Sequence, residues 1–251
     1  MRALGSLEQM QEVVQAAVLA GINHLETAAA YGPAEDFLGH ALQQAEQQPE
    51  GGWVVTSKLL PGLPLREGKH QLLMILERLG CDSLDNLAIH GINRPEHLDW
   101  ALLGDGKDLL DWAQGEGHAA QVGFSSHGSQ ALIAAAISSG RFQFCSLHLH
   151  LLDPQRLPLA HQAREQGMGV LAISPADKGG RLQAPSPTLI SDCAPFSPLQ
   201  LAYRFLLAQG ISTLSVGAAQ ASDLELAAAL QSRDSPLSLE EQSSLQRLAD
   251  H

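Results

Sequence analysis

This chain predicts an α/β fold, a barrel of parallel strands each followed by a helix, and three observations carry that prediction. Helix-like and strand-like segments alternate from one end to the other. Several helix-like stretches stop at a glycine, at Gly21, Gly80, Gly140 and Gly167, just before a β-prone run. Glycine beyond a helix end is the favoured C-terminal cap. No linker or break in composition divides the 251 residues, a length that suits one large barrel domain.

Taken in order, a helix over 7–20 leads to a strand at 24–28, and a helix over 34–46 to the strand 53–58. Helix 66–79 precedes strand 85–90, and helical segments around 95–115 precede 120–125. Helix 129–139 leads to the strand-like run 142–149, and helix 154–166 to 168–174. A Pro/Gly-rich loop spans roughly 175–198; loops of that length more often carry function than simple connection. Helix 198–209, strand 211–216, helix 221–231 and a terminal helix near 238–249 complete the chain. Alternation of this kind argues for a parallel sheet. The seven strand-like runs are one fewer than a closed barrel of this class contains.

Composition excludes several functions. Apolar residues make up 45% and charged residues 17% of the chain, so it can bury a core. A net charge of −12 with no Lys/Arg cluster argues against nucleic acid and anionic membranes. No apolar run is long enough to span a bilayer, and MRALGSLEQM lacks a signal-peptide core, so the chain reads as cytoplasmic. Three widely spaced cysteines, Cys81, Cys145 and Cys193, suggest neither a disulfide framework nor a zinc site. His118, His127, His148, His150 and His161 are scattered without ligand spacing and read as surface or core histidines, so no metal is expected.

The segment GINHLETAAAYG, residues 21–32, is the most informative. A short β-prone run delivers Glu26, and Tyr31 follows five residues later. WVVTSK ends on Lys58 and NLAIH on His90. In a parallel barrel all strand C-termini share one rim, so these four side chains would meet there.

These motifs, with QVGFSSHG, GMGVLAISPADKGG and STLSVGAA in this order, resemble the aldo-keto reductase superfamily over essentially the whole chain. The resemblance implies a (β/α)8 TIM barrel, a nicotinamide cofactor and a small-molecule carbonyl substrate. IHGIN, FSSHG and SPADKGG are most similar to a branch whose longer members carry an iron–sulfur ferredoxin-like tail. No cysteine follows Cys193, so no cluster is expected. Members of the family open with a strand ending in a Gly-rich turn. This chain opens at Met1-Arg2, so the barrel is expected to lack that first strand.

By resemblance, Tyr31 donates the proton in carbonyl reduction while the nicotinamide supplies the hydride. The Lys58 ammonium stabilises the phenolate left behind, Glu26 holds Lys58, and His90 polarises the carbonyl. The superfamily usually has Asp where Glu26 stands, so the contact with Lys58 must be re-aimed.

The cofactor side departs further from the family. Its Ser-Asn pair for the carboxamide is matched by Ser125-Ser126, its glutamine by Ser146 and its stacking aromatic by Leu149. Serine reaches less far than an amide and has one donor. Ser174, Lys178, Gly179 and Gly180 match the pyrophosphate strap. The amides of Gly217 and Ala218 are expected to open the last long helix and to favour phosphate. NADP is implied by the family, yet AAQASDLEL has no basic residue for a 2′-phosphate and carries Asp223 and Glu225, which favours NAD. The alternative is a catalytically weakened barrel kept as a nucleotide-binding or regulatory module.

Overall fold

The computed structural model describes residues 5–178, 181–230 and 236–250. One sheet contains seven strands in chain order: β1 (His24–Glu26), β2 (Val54–Leu59), β3 (Leu84–Ile89), β4 (Ala119–Ser126), β5 (Phe144–His148), β6 (Gly169–Ile173) and β7 (Thr213–Leu214). Every neighbouring pair is parallel. Parallel neighbours need crossovers, and helices supply them. Helix α1 (Leu7–Leu19) precedes β1; α2 (Ala34–Gln44) and α3 (Leu65–Leu79) follow β1 and β2. Next come α4 (Pro95–Leu103), α5 (Asp105–Gly115), α6 (Gln130–Ser138) and α7 (Leu157–Glu165). Helices α8 (Pro187–Cys193) and α9 (Pro198–Ala208) lie between β6 and β7. A 3₁₀ turn (Ala221–Leu224), α10 (Glu225–Ala229) and α11 (Leu239–Ala249) end the fold.

Side chains alternate across each strand. One set, including Leu87, Ile89, Val122, Phe124, Cys145, Leu147, Val170 and Ala172, joins the helices in a single apolar core. The other set faces the concave side and mixes polar residues with Ala88, Phe144 and Leu171. There His24 Nε2 meets Thr56 Oγ1 at 2.7 Å, and Asn86 donates to the same hydroxyl at 3.1 Å. Gly123 belongs to this inner face because a Cβ there would stand 2.5 Å from the Phe144 carbonyl.

The sheet curls until its edges come together: Ser215 Oγ, just past β7, donates to Glu26 Oε2 of β1 at 2.8 Å. Among the described residues no backbone pairing joins β1 to β7. A cavity of about 150 Å³ lies between them, lined by 22–26 on one side and 212–216 on the other. The barrel is thus one strand short of closure, as expected.

Three regions differ from the sequence expectation: the edge strands, the loop 175–198 and the stretch 221–231. The edge strands are short, His24–Glu26 and Thr213–Leu214, each with a single paired neighbour. The helical segments expected around 95–115 are two helices, separated at Gly104, whose extended backbone ends α4 and caps α5. The loop 175–198 contains α8, started by Ser186, which accepts from Leu189 N, with Pro187 in the first turn. The stretch 221–231 is a 3₁₀ turn and the five-residue α10 rather than one long helix.

Candidate active site

Glu26, Tyr31, Lys58 and His90 meet at the C-terminal ends of β1, β2 and β3. Lys58 is the centre: its ammonium, on a side chain only 2% exposed, lies 2.9 Å from Glu26 Oε1. It donates to the Thr27 carbonyl at 2.9 Å and to Tyr31 OH at 3.4 Å. An ammonium has three donors, and three acceptors surround it. Tyr31 is delivered by a turn in which its N–H donates to the Ala28 carbonyl, and Gly32, at φ +60°, swings the chain into α2. The His90 ring stands edge-on to Tyr31, with centroids 5.5 Å apart at 90°.

The glutamate in place of aspartate has a use. Its longer side chain sends Oε1 to Lys58 and Oε2 to Ser215, so it ties Lys58 to the far edge of the sheet. Burial alone would raise the Glu26 carboxyl. The Lys58 charge and the hydrogen bonds from Lys58 and Ser215 outweigh it and hold the carboxyl below its ordinary range. Ser215 was missed in the sequence because its relevance depends on curvature, not on a local pattern.

The cofactor-side residues share this rim but are less complete. Ser125 and Ser146 are register partners on β4 and β5. The Ser125 hydroxyl accepts from Gly91 N at 3.1 Å, and the Ser126 hydroxyl donates to the Ile92 carbonyl at 2.5 Å and accepts from Gly128 N at 3.0 Å. Both therefore pin the His90 loop to β4. Ser146 Oγ, fully buried, has no hydrogen-bond partner among the described residues. Leu149 is a correction: it lies wholly buried in the helix-facing core, so it offers no surface to a ring at the mouth. Strand alternation instead turns His148 inward beside Ser146.

Ser174 and Asp177 adopt left-handed backbone, φ +54° and +67°, a conformation uncommon for residues other than glycine. They fold the loop after β6, with Asp177 N donating to the Ser174 carbonyl at 3.0 Å and Lys178 exposed. Gly179 and Gly180 lie outside the described residues. Gly217 and Ala218 open no long helix, a second correction. The next element is the four-residue 3₁₀ turn, and its entry is already capped: the Asp223 carboxylate accepts from Ala219 N at 2.8 Å and Gln220 N at 3.1 Å. An acid there repels the phosphate those amides would otherwise attract.

Known proteins match both the sequence and the fold. The model of the aldo/keto reductase family matches residues 5–186. An aldo-keto reductase from Mycolicibacterium vanbaalenii is 30% identical over 220 residues, covering 82% of this chain and 72% of the relative. Among solved structures, the holo form of an aldo-keto reductase from Bacillus halodurans superposes with a TM-score of 0.79 at 19% identity, covering 97% of this chain and 88% of its own. One from Klebsiella pneumoniae in complex with NADPH gives 0.77 at 21% identity, covering 98% and 87%. One from Bombyx mori in complex with NADP gives 0.74 at 22%, covering 96% and 83%. At these identities the structures speak for the fold; the family model and the Mycolicibacterium relative speak for descent. A parallel barrel that brings a carboxylate, a phenol, an ammonium and an imidazole to one rim, in a chain matched by that family model over most of its length, belongs to the aldo/keto reductase family.

Proposed function

We propose that this protein is a nicotinamide-dependent reductase of small aldehydes or ketones, with Tyr31 as the proton donor. The observation that carries this reading is the single ammonium, Lys58, held between Glu26 and Tyr31 with His90 at the ring edge. A carbonyl oxygen placed between the Tyr31 hydroxyl and His90 receives a hydrogen bond from each. As negative charge grows on that oxygen, the Tyr31 proton moves to it. The phenolate left behind faces the Lys58 ammonium, whose position is set by its other two partners, Glu26 and the Thr27 carbonyl. Preorganised charge of this kind requires little rearrangement when the proton moves. A proton from solvent then restores the phenol.

The dinucleotide fits this rim unevenly. Ser146 presents a buried hydroxyl with no partner, a fit for the carboxamide of a nicotinamide ring. When bound, that ring supplies the hydride to the carbonyl carbon. Ser174 and Lys178 would hold the diphosphate. The Asp223 carboxylate on the Ala219 and Gln220 amides disfavours an added 2′-phosphate, which supports NAD over NADP.

Fluorescence titration with NADH and NADPH, followed by NADH oxidation with a panel of aldehydes, tests the reading. We expect NADH to bind more tightly and to be consumed. Tyr31→Phe should bind NADH equally well and lose activity by roughly 10²–10⁴-fold, the usual contribution of general acid catalysis. No binding of either cofactor at millimolar concentration would overturn the reductase. Binding without consumption would favour the nucleotide-binding module, a reading supported by the Ser125 and Ser126 hydroxyls being engaged within the protein.

A further inference from the structure

Three of the histidines that read as scattered in the sequence meet at the ends of β4 and β5. The rings of His127 and His148 lie 5.9 Å apart, and those of His148 and His150 lie 5.1 Å apart. Arg156 reaches the same place, its guanidinium donating to the carbonyls of His127 at 3.4 Å and Gly128 at 3.2 Å. Lys178 is close enough to act with Arg156 against protonation of His127 and His148. Two acids lie nearby, Asp153 and Asp177. Asp177 stands 3.6 Å from His150 Nε2 but is paired to Arg181 at 2.7 Å.

Polar atoms are left over here. Among the described residues Ser146 Oγ, His148 Nδ1 and His150 Nδ1 are buried without a hydrogen-bond partner, and the His150 side chain is 3% exposed. Buried polar atoms normally find partners, so a run of three along one strand end calls for a ligand. Among the described residues no three His, Cys, Asp or Glu side chains converge as metal ligands. Imidazole N–H donors beside a guanidinium and an ammonium suit an oxyanion instead. Arg156, Lys178 and three imidazoles thus gather in one place on a chain whose net charge is −12.

The cluster is also attached to the catalytic loop. Asn93, three residues past His90, accepts from His127 N through Oδ1 at 2.7 Å, and the Ser125 hydroxyl holds Gly91.

We propose that this rim is an anion subsite selecting an aldehyde or ketone that carries a carboxylate, held by His127, His148 and Arg156 while its carbonyl faces Tyr31 and His90. The inference rests on the reductase reading above and names its substrate class. His127 and His148 then determine specificity, and His150 positions His148.

The test compares 4-carboxybenzaldehyde with 4-formylbenzamide, which differ in charge and little in shape. We expect kcat/KM for the acid to exceed that for the amide at least tenfold, mainly through a lower KM. In H127Q/H148Q, or in each single variant if the double does not fold by circular dichroism, that ratio should fall at least fivefold. A ratio near one in the natural protein, or one unchanged in the variants, overturns the proposal. So does an unchanged ratio accompanied by a raised NADH dissociation constant, which would assign the cluster to the cofactor diphosphate. Histidine ring-nitrogen NMR in the presence of NADH gives a readout without turnover. Movement of the His127 and His148 signals by the acid and not the amide supports the subsite even if neither aldehyde is reduced. Equal movement by both, or none, overturns it even if both are reduced.

Discussion

The two halves of the barrel rim are finished to different degrees. On the β1–β3 side Lys58 is ion-paired with Glu26 and donates to the Thr27 carbonyl and to Tyr31, and Glu26 also accepts from Ser215; only the buried Thr27 hydroxyl lacks a partner within this group among the described residues. On the β4–β6 side Ser146, His148 and His150 each bury a polar atom that has no hydrogen-bond partner among the described residues. A satisfied cluster sets its own geometry in the absence of ligand. An unsatisfied one waits for something from outside. The Glu26–Lys58–Tyr31 cluster is therefore positioned by the folded chain itself, whereas the β4–β6 side keeps polar groups open to a ligand.

Removing the ammonium tests the finished half most severely. Lys58→Met leaves the buried Glu26 carboxylate without its counter-charge, and breaking a buried pair from one side costs about 3–5 kcal/mol. Urea denaturation should show that loss together with abolished turnover. A cost under about 1 kcal/mol would mean the pair is not locked as described.

Two serines sharpen the contrast at smaller scale. Ser215→Ala removes a hydrogen bond to a charged group and should cost about 1.5–3 kcal/mol. Ser146→Ala removes a hydroxyl that has no partner, so stability should hold or rise while NADH binds more weakly. Equal losses from the two substitutions would erase the distinction between the halves.

Acid should act on the two halves at different pH. His127, His148 and His150 are held below the ordinary histidine value of 6.5, chiefly by burial. The unfolded chain then binds more protons than the folded one as pH drops past 6.5, so stability erodes from there downward. His24, buried beneath Glu26, adds to this in the same direction. Glu26 is held below 4.5, so its contribution is intact above that value and is lost only as pH falls through the folded pKa. Denaturation at pH 7.5, 5.5 and 4.0 should show the histidine loss first. In H127Q/H148Q the loss between pH 7.5 and 5.5 should shrink. The smallest effect is expected from Asp223→Asn. Removing the acid that caps Ala219 and Gln220 should narrow the preference for NADH over NADPH by a few fold, read from the two dissociation constants.

Much of the finished half was readable in the sequence. Glu26, Lys58 and His90 sit at strand ends, and parallel strands carry all such ends to one rim whatever the details of packing. Tyr31 follows on a turn whose glycine is visible in the sequence. The other half was harder to read. Leu149 aligned with a ring-stacking position, but alternation along β5 turns it into the core and brings His148 inward. Gly217 and Ala218 looked like a helix entrance, but Asp223 reaches back and occupies the neighbouring amides. The Ser186 cap was present in the sequence, obscured by a Pro/Gly-rich composition.

By itself the sequence determined the strand–helix alternation, the one-strand deficit and the identity of the four rim residues. These follow from local periodicity and from the common direction of parallel strands. Only the tertiary structure decided that Glu26 would join Ser215 across the two sheet edges, 189 positions apart, and that three separated histidines would converge beside Arg156. Sheet curvature and loop closure set those meetings, and neither leaves a periodic mark on the residues it brings together.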